Sequence, residues 1–130
     1  MAMPNLKVMI VEDEILTAMS LQKALEMQGY EVLEPVDTGE EAIKLAKRER
    51  PSVVIMDVLL NGRMDGIETA RVLQTGGFTR IIFMTGYQDN EILERTKRVK
   101  SSLCLVKPVG PDDLGKALDQ ILDKGKAVDS

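Results

Sequence analysis

The segment Val53–Asp57 reads VVIMD, which is four consecutive apolar residues closed by a carboxylate. A short apolar run of this kind is typical of a strand that is buried on both faces of a sheet. Four further runs of strand length recur along the chain, separated by stretches with helical spacing. They are Leu6–Glu12, Tyr30–Val36, Arg80–Thr85 and Ser102–Lys107.

Five helices are predicted between and after these strands. Their predicted spans are 14–28, 38–50, 65–77, 89–99 and a fifth that opens with Pro111. Two of the starts have capping signals. Thr38 is followed by Glu41, and Asp65 is followed by Glu68, the spacing at which a helix-capping side chain and an acidic residue exchange hydrogen bonds.

Five strand–helix units in a row imply an α/β fold, a doubly wound five-stranded parallel sheet with five helices on both faces. The second predicted strand contains Pro35 and is flanked by Glu31 and Glu34, which are tolerated mainly at a sheet edge. The strand order 2-1-3-4-5 follows. It predicts a ligand site at the carboxyl ends of strands one and three, where the strand order reverses. We expect one domain over residues 1–124 and a short polar tail over 125–130.

Composition excludes several classes of function. The 130 residues include 17 basic and 21 acidic side chains, and this net charge of −4 argues against direct nucleic-acid binding. No histidine is present, which removes His-based zinc sites and Ser-His-Asp triads. The single cysteine, Cys104, excludes an intramolecular disulfide and suits a cytoplasmic location. The apolar runs are too short to span a bilayer, and no signal peptide is recognisable, so no membrane association is expected.

Chemically active side chains stand at the predicted strand ends. Glu12 and Asp13 follow the first strand, Asp57 ends the third, Thr85 ends the fourth and Lys107 ends the fifth. Three carboxylates at one sheet edge would repel one another without a cation. Oxygen ligands select a hard ion such as Mg²⁺, and a nearby hydroxyl and ammonium suit a transferring phosphoryl group.

These residues, with their neighbours, resemble the receiver domain of two-component response regulators, in its single-domain, chemotaxis-regulator-like form. Any one of the motifs is weak alone, but all five occur in order, each at a strand end or just after it. They are Val11-Glu12-Asp13-Glu14, Met56-Asp57, Met64-Asp65-Gly66, Met84-Thr85-Gly86 and Val106-Lys107-Pro108. The resemblance covers essentially the whole chain and implies the flavodoxin-like arrangement.

The resemblance implies a Mg²⁺-dependent phosphoryl acceptor, with Mn²⁺ as an alternative ion. Asp57 would accept the phosphoryl group from a phosphohistidine. Asp13 and Asp57 would ligate the metal directly, Glu12 would do so through water, and the backbone carbonyl of Leu59 would supply a further ligand. Lys107 would pair with the phosphoryl oxygens and precede a cis peptide bond.

The resemblance also implies a switch, in which Thr85 turns toward the phosphoryl group. Many receivers carry an aromatic residue three positions before the site lysine, where this chain has Cys104. We therefore predict that Tyr87, two residues after Thr85, takes over this role. Leu59 and Tyr87 offer no carboxylate or carboxamide to orient a hydrolytic water, so a long-lived phosphoryl-aspartate is expected.

The expected partners are a sensor histidine kinase or phosphotransfer protein, docking near the first helix and the loop 109–111, and a downstream protein target. That target would contact the fourth helix, fifth strand and fifth helix, and the last two helices also allow a homodimer. The domain would take part in its own phosphotransfer without being a turnover enzyme. A phosphatase of the haloacid-dehalogenase type would need an acid where Leu59 stands. A pseudo-receiver binding module and a receiver excised from a larger hybrid kinase remain alternatives.

Overall fold

The computed structural model describes residues 6–77, 79–86 and 90–128, with side chains described as far as residue 122. Five strands alternate with five helices, as predicted. The strands are β1 Lys7–Val11, β2 Glu31–Val32, β3 Val53–Asp57, β4 Arg80–Thr85 and β5 Ser102–Val106. The helices are α1 Ile15–Met27, α2 Gly39–Glu49, α3 Gly66–Thr75, α4 Asn90–Lys97 and α5 Pro111–Val128.

The strands form one parallel sheet in the order β2-β1-β3-β4-β5, which confirms the predicted topology. Val8 of β1 pairs with Val32 of β2 on one side and with Val53 of β3 on the other. The chain therefore moves outward from β1 in both directions, and the strand order reverses between β1 and β3.

Two core layers enclose the sheet, because alternate side chains of a strand point to opposite faces. In β1, Val8 and Ile10 face the layer formed with α1 and α5, whereas Met9 and Val11 face the layer formed with α2 and α3. Side chains of β1, β3 and β4 are almost all buried, which explains their continuous apolar runs.

The predicted capping residues begin their helices. Asp65 forms a complete capping box, in which its side chain accepts from Glu68 N at 2.8 Å and Glu68 Oε1 accepts from Asp65 N at 2.9 Å. Thr38 Oγ1 accepts from Glu41 N at 3.2 Å, which is the half of the box that the structure shows at α2.

The second strand is shorter than the predicted Tyr30–Val36. Its ladder covers Glu31–Val32, and Val36 returns to β1 only as an isolated bridge to Val11. Val36 N donates to Ile10 O, and Val36 O accepts from Glu12 N. Pro35 has no N–H to donate, so it interrupts the ladder. The strand lies at the edge of the sheet, as the proline predicted.

The fourth helix differs from its predicted bounds, and the fifth begins at Pro111 as predicted. Helix α4 ends at Lys97, two residues before the predicted end, and Asp89 lies outside the described residues. Helix α5 continues to Val128, and the domain boundary at residue 124 stays a prediction. None of the helices in the described part of the chain combines the length and apolar character that a membrane span requires.

Candidate functional site

The predicted site residues meet at the carboxyl edge of the sheet. Glu12 and Asp13 follow β1, Asp57 is the last residue of β3, Thr85 is the last residue of β4, and Lys107 follows β5. Parallel pairing brings these strand ends to one edge. The site therefore lies where the strand order reverses, as the topology predicted.

Three carboxylates form the acidic part of the site. Glu12, Asp13 and Asp57 each place an oxygen within 4.8 Å of the other two. Glu12 and Asp57 are buried, and Asp13 is half-buried. Burial raises the pKa of Asp13, and the neighbouring Glu12 carboxylate raises it further. The charged form of Asp13 is therefore disfavoured until a cation offsets the repulsion.

Lys107 supplies a positive charge to this cluster. Its Nζ donates to Asp57 Oδ2 at 2.9 Å and to Glu12 Oε1 at 3.1 Å. Burial alone would lower the pKa of Lys107, but the hydrogen bonds and charges of Asp57 and Glu12 outweigh burial and raise it. The peptide bond between Lys107 and Pro108 is cis, as expected.

Backbone contacts hold Asp57 in place. Leu59 N donates to Asp57 Oδ1 at 3.2 Å, and Val58 N donates to Met84 O at 2.9 Å. Gly66 N in turn donates to Val58 O at 2.7 Å. A Cβ atom on Gly66 would lie 2.0 Å from Asp57 O, so only glycine fits against the backbone of the acidic residue.

This role of Gly66 was missed by the sequence reasoning, which noted the residue only as part of a motif. An isolated Asp-Gly pair signals a turn or a helix start in many proteins. Its contact with Asp57 depends on how the loop after β3 folds back.

The donor set fits a hard divalent cation. All the side-chain donors are carboxylate oxygens, which favour Mg²⁺ or Mn²⁺ over softer metals. Glu12 and Asp57 are also buried like charges, and one ammonium alone does not neutralise three carboxylates. The carbonyl of Leu59 as a further ligand stays a prediction.

Two of the three predicted switch residues, Thr85 and Cys104, fall in the described part of the chain. Thr85 is buried, and its carbonyl accepts a hydrogen bond from Lys107 N at 2.8 Å. Cys104 is half-buried in β5 opposite Phe83, and burial raises the pKa of its thiol. Tyr87 lies outside the described residues. That Tyr87 takes over the role of the aromatic residue that many receivers carry where this chain has Cys104 stays a prediction.

Together these groups suit the transfer of a phosphoryl group to a carboxylate. Asp57 offers an oxygen nucleophile, the other two carboxylates complete a cation site, and Lys107 is placed to neutralise phosphoryl oxygens. The buried hydroxyl-bearing Thr85 lies at the adjacent strand end.

Comparison with known proteins agrees with this geometry. Residues 8–119 match the model of the response regulator receiver domain. The transcriptional regulatory protein PdtaR of Mycobacterium tuberculosis is 32% identical over 122 residues, which cover 94% of this chain and 59% of PdtaR. The chain thus spans little more than half the length of this curated relative.

Two solved structures have the same fold over nearly their whole length. The signal receiver domain of a modulated diguanylate cyclase from Desulfovibrio desulfuricans G20 is 41% identical, with a TM-score of 0.86 over 95% of this chain and 98% of that one. The chemotaxis protein CheY4 of Vibrio cholerae is 31% identical, with a TM-score of 0.83 over 91% of this chain and 99% of that one.

Proposed function

Because this chain belongs to the response regulator receiver domain family, a family of signalling switches, we propose that it accepts a phosphoryl group at Asp57. The donor is the phosphohistidine of a sensor histidine kinase or phosphotransfer protein. The P–N bond of the donor breaks, its electron pair stays on the imidazole, and a P–O bond forms to Asp57. One observation carries this proposal: Lys107 Nζ bridges Asp57 and Glu12 beside Asp13.

Each side chain then has a defined task. Glu12, Asp13 and Asp57 hold Mg²⁺ or Mn²⁺, which supplies positive charge to the phosphoryl oxygens when bound. Lys107 pairs with another phosphoryl oxygen. Three carboxylates, one dication and the ammonium sum to zero, and phosphorylation takes Asp57 from −1 to about −2. The excess negative charge favours a donor such as the Thr85 hydroxyl moving toward the phosphoryl group.

The start of α1 fits the docking of the phosphoryl donor. Ile15, Leu16 and Met19 are 73%, 80% and 59% exposed, and α1 begins two residues after Asp13. Leu59, also next to the site in sequence, is 50% exposed. Large apolar side chains grouped on a surface mark protein contacts. This surface supports the predicted docking of the donor near the first helix.

The opposite side of the site supports an output surface. β5 is an edge strand with half-exposed side chains, and Val106 is exposed beside Lys107. A cleft between β5 and α5 is lined by Leu105, Val109 and Lys116, among others. A downstream protein, or a second copy of the chain, would contact α4, β5 and α5. The cytoplasmic location stays a prediction that rests on the lone Cys104.

Acetyl phosphate tests the phosphoryl acceptor without any partner protein. Incubation of the purified chain with acetyl phosphate and Mg²⁺ is expected to add one phosphoryl group, detected as a mass increase. Asp57→Asn is the matched variant and is expected to remain unlabelled, as is wild type in EDTA. Sustained turnover of acetyl phosphate without a labelled protein would indicate a phosphatase. No label and no turnover would indicate a pseudo-receiver and overturn the proposal.

A further inference from the structure

Helix α4 is attached to the rest of the fold by few buried groups. Among its described residues Thr96 is the buried one, and Ile92 is partly buried against the core layer of α2 and α3. The carboxyl end of α4 is anchored to β5, because the Ser102 hydroxyl donates its one proton to Val99 O at 2.7 Å and also lies 3.2 Å from Thr96 O. The position of the middle of the helix therefore depends on its remaining contacts.

One of these contacts is an ion pair between α4 and the residue that caps the start of α3. Arg95 Nη2 donates to Asp65 Oδ2 at 2.8 Å, across 30 positions of the chain. The Arg95 side chain is 36% exposed and that of Asp65 is 25% exposed, so solvent screens the pair only in part. The length is that of a charge-assisted hydrogen bond, and the partial exposure of both side chains limits its strength.

Asp65 is itself tied to the backbone of the phosphoryl acceptor. Its second oxygen, Oδ1, accepts from Glu68 N and so caps α3. The next residue, Gly66, donates to Val58 O and lies against Asp57 O without room for a Cβ atom. Because these contacts are tightly packed, a displacement of Asp65 also displaces the backbone of Asp57.

We propose that Arg95 is a positioning residue whose ion pair with Asp65 couples α4 to Asp57, at the end of β3, and to the loop that follows it. Cation binding at the acidic cluster reduces the mobility of that loop. Through the ion pair of Arg95 with Asp65 it also reduces the mobility of α4. Because such coupling is reciprocal, anything that holds α4 also strengthens cation binding. The cation step needs no phosphoryl transfer, although the relevance of the coupling to signalling rests on the proposed function.

Amide hydrogen exchange with and without Mg²⁺ measures this coupling directly. In wild type, Mg²⁺ is expected to slow exchange over Asn90–Lys97 by about two- to fivefold, the range for a partly exposed ion pair. Arg95→Gln and Asp65→Asn are each expected to abolish this Mg²⁺-dependent slowing, while the carboxamide in the second variant keeps an oxygen to cap α3. The double variant should resemble either single variant, because both remove the same interaction.

Two further variants separate coupling from a general loss of structure. Arg98 lines the same charged cleft as Arg95, and Arg98→Gln is expected to behave as wild type. Arg95→Lys retains a positive charge and should restore part of the slowing. Absence of Mg²⁺-dependent slowing in wild type, or its persistence in Arg95→Gln, would overturn the inference.

Acetyl phosphate labelling of the same samples distinguishes the two proposals. Slowing that depends on Arg95 in a chain that accepts no phosphoryl group would leave the coupling standing and overturn the proposed function. If Asp57 is labelled but the slowing persists without Arg95, the proposed function stands and the coupling is overturned.

Discussion

Lys107 Nζ lies 2.9 Å from Asp57 Oδ2, although 50 positions separate the two residues along the chain. The same ammonium lies 3.1 Å from Glu12 Oε1. One side chain from the end of β5 thus pairs with carboxylates from the ends of β1 and β3. Because the ammonium offsets only part of the negative charge, the metal-free site retains repulsion that a divalent cation can relieve.

Removal of the ammonium is expected to destabilise the metal-free protein. Lys107→Met should lower the free energy of unfolding by about 1–3 kcal/mol at neutral pH, since it removes two hydrogen bonds between charged groups. Added Mg²⁺ should recover part of this loss. Urea unfolding with and without Mg²⁺ checks both effects. Lys97→Met, at an exposed lysine 3.8 Å from Glu94, is the control and should cost less than about 1 kcal/mol. Equal losses in the two variants would contradict the pairing role of Lys107.

Asp13→Asn is expected to have opposite effects on the metal-free and metal-bound protein. The pKa of Asp13 is raised from 3.8, so the folded chain holds this proton more tightly than the unfolded chain. The stability of the metal-free protein should therefore fall as pH rises from about 3.8 through the raised value. Near pH 7 the substitution should stabilise the metal-free protein by up to ~1 kcal/mol.

The same variant should gain much less stability from Mg²⁺ than wild type does, because it lacks one carboxylate ligand. Thermal unfolding in EDTA and in Mg²⁺ measures both effects. Asp119→Asn, at an exposed position of α5, should change neither. A wild-type Tm that does not respond to Mg²⁺ would contradict the metal site.

Gly66→Ala is expected to disturb the acceptor directly. Its Cβ atom would lie 2.0 Å from Asp57 O, so the loop or β3 must shift. We expect a loss of about 2–4 kcal/mol in stability and slower labelling by acetyl phosphate. At Gly76 the nearest atom to an added Cβ is 3.7 Å away, so Gly76→Ala should be neutral or slightly stabilising. Similar stability of the two variants would show that the close approach at Gly66 is unimportant.

Leu59 is expected to protect the phosphoryl group from hydrolysis. Its side chain is 50% exposed and follows Asp57 by two positions, where an amide side chain could orient a water molecule. Leu59→Gln should therefore shorten the lifetime of phosphoryl-Asp57 by roughly tenfold. Leu59→Ala removes the apolar side chain without adding a hydrogen-bonding group, and comparison of the two decay rates separates these effects. Loss of the label within seconds in wild type would contradict the long lifetime predicted.

Predictions that depended on local pattern agreed well with the structure. Val53–Asp57 is a buried central strand, and Asp65 caps α3 through Glu68, because apolar periodicity and capping act over a few neighbouring residues. The predicted length of β2 was wrong, although Pro35 in the predicted strand is a residue that interrupts a ladder. A proline ends a ladder only where its missing N–H would have faced a carbonyl of the neighbouring strand. The register between the two strands decides this, and register is not a local property of the sequence.

Patterns along the chain were enough to predict the strand order and the residues that meet where this order reverses. The alternation of strands and helices, together with right-handed crossovers, allows few sheet topologies. In few of them would Glu12, Asp57 and Lys107 lie far apart. The individual contacts were known only from the folded chain. They are the bridge from Lys107 to two carboxylates, the close contact of Gly66 with Asp57, and the pair between Arg95 and Asp65. These contacts depend on loop paths and on side-chain rotamers chosen by the packed surroundings, and residues tens of positions apart carry no local signal of either.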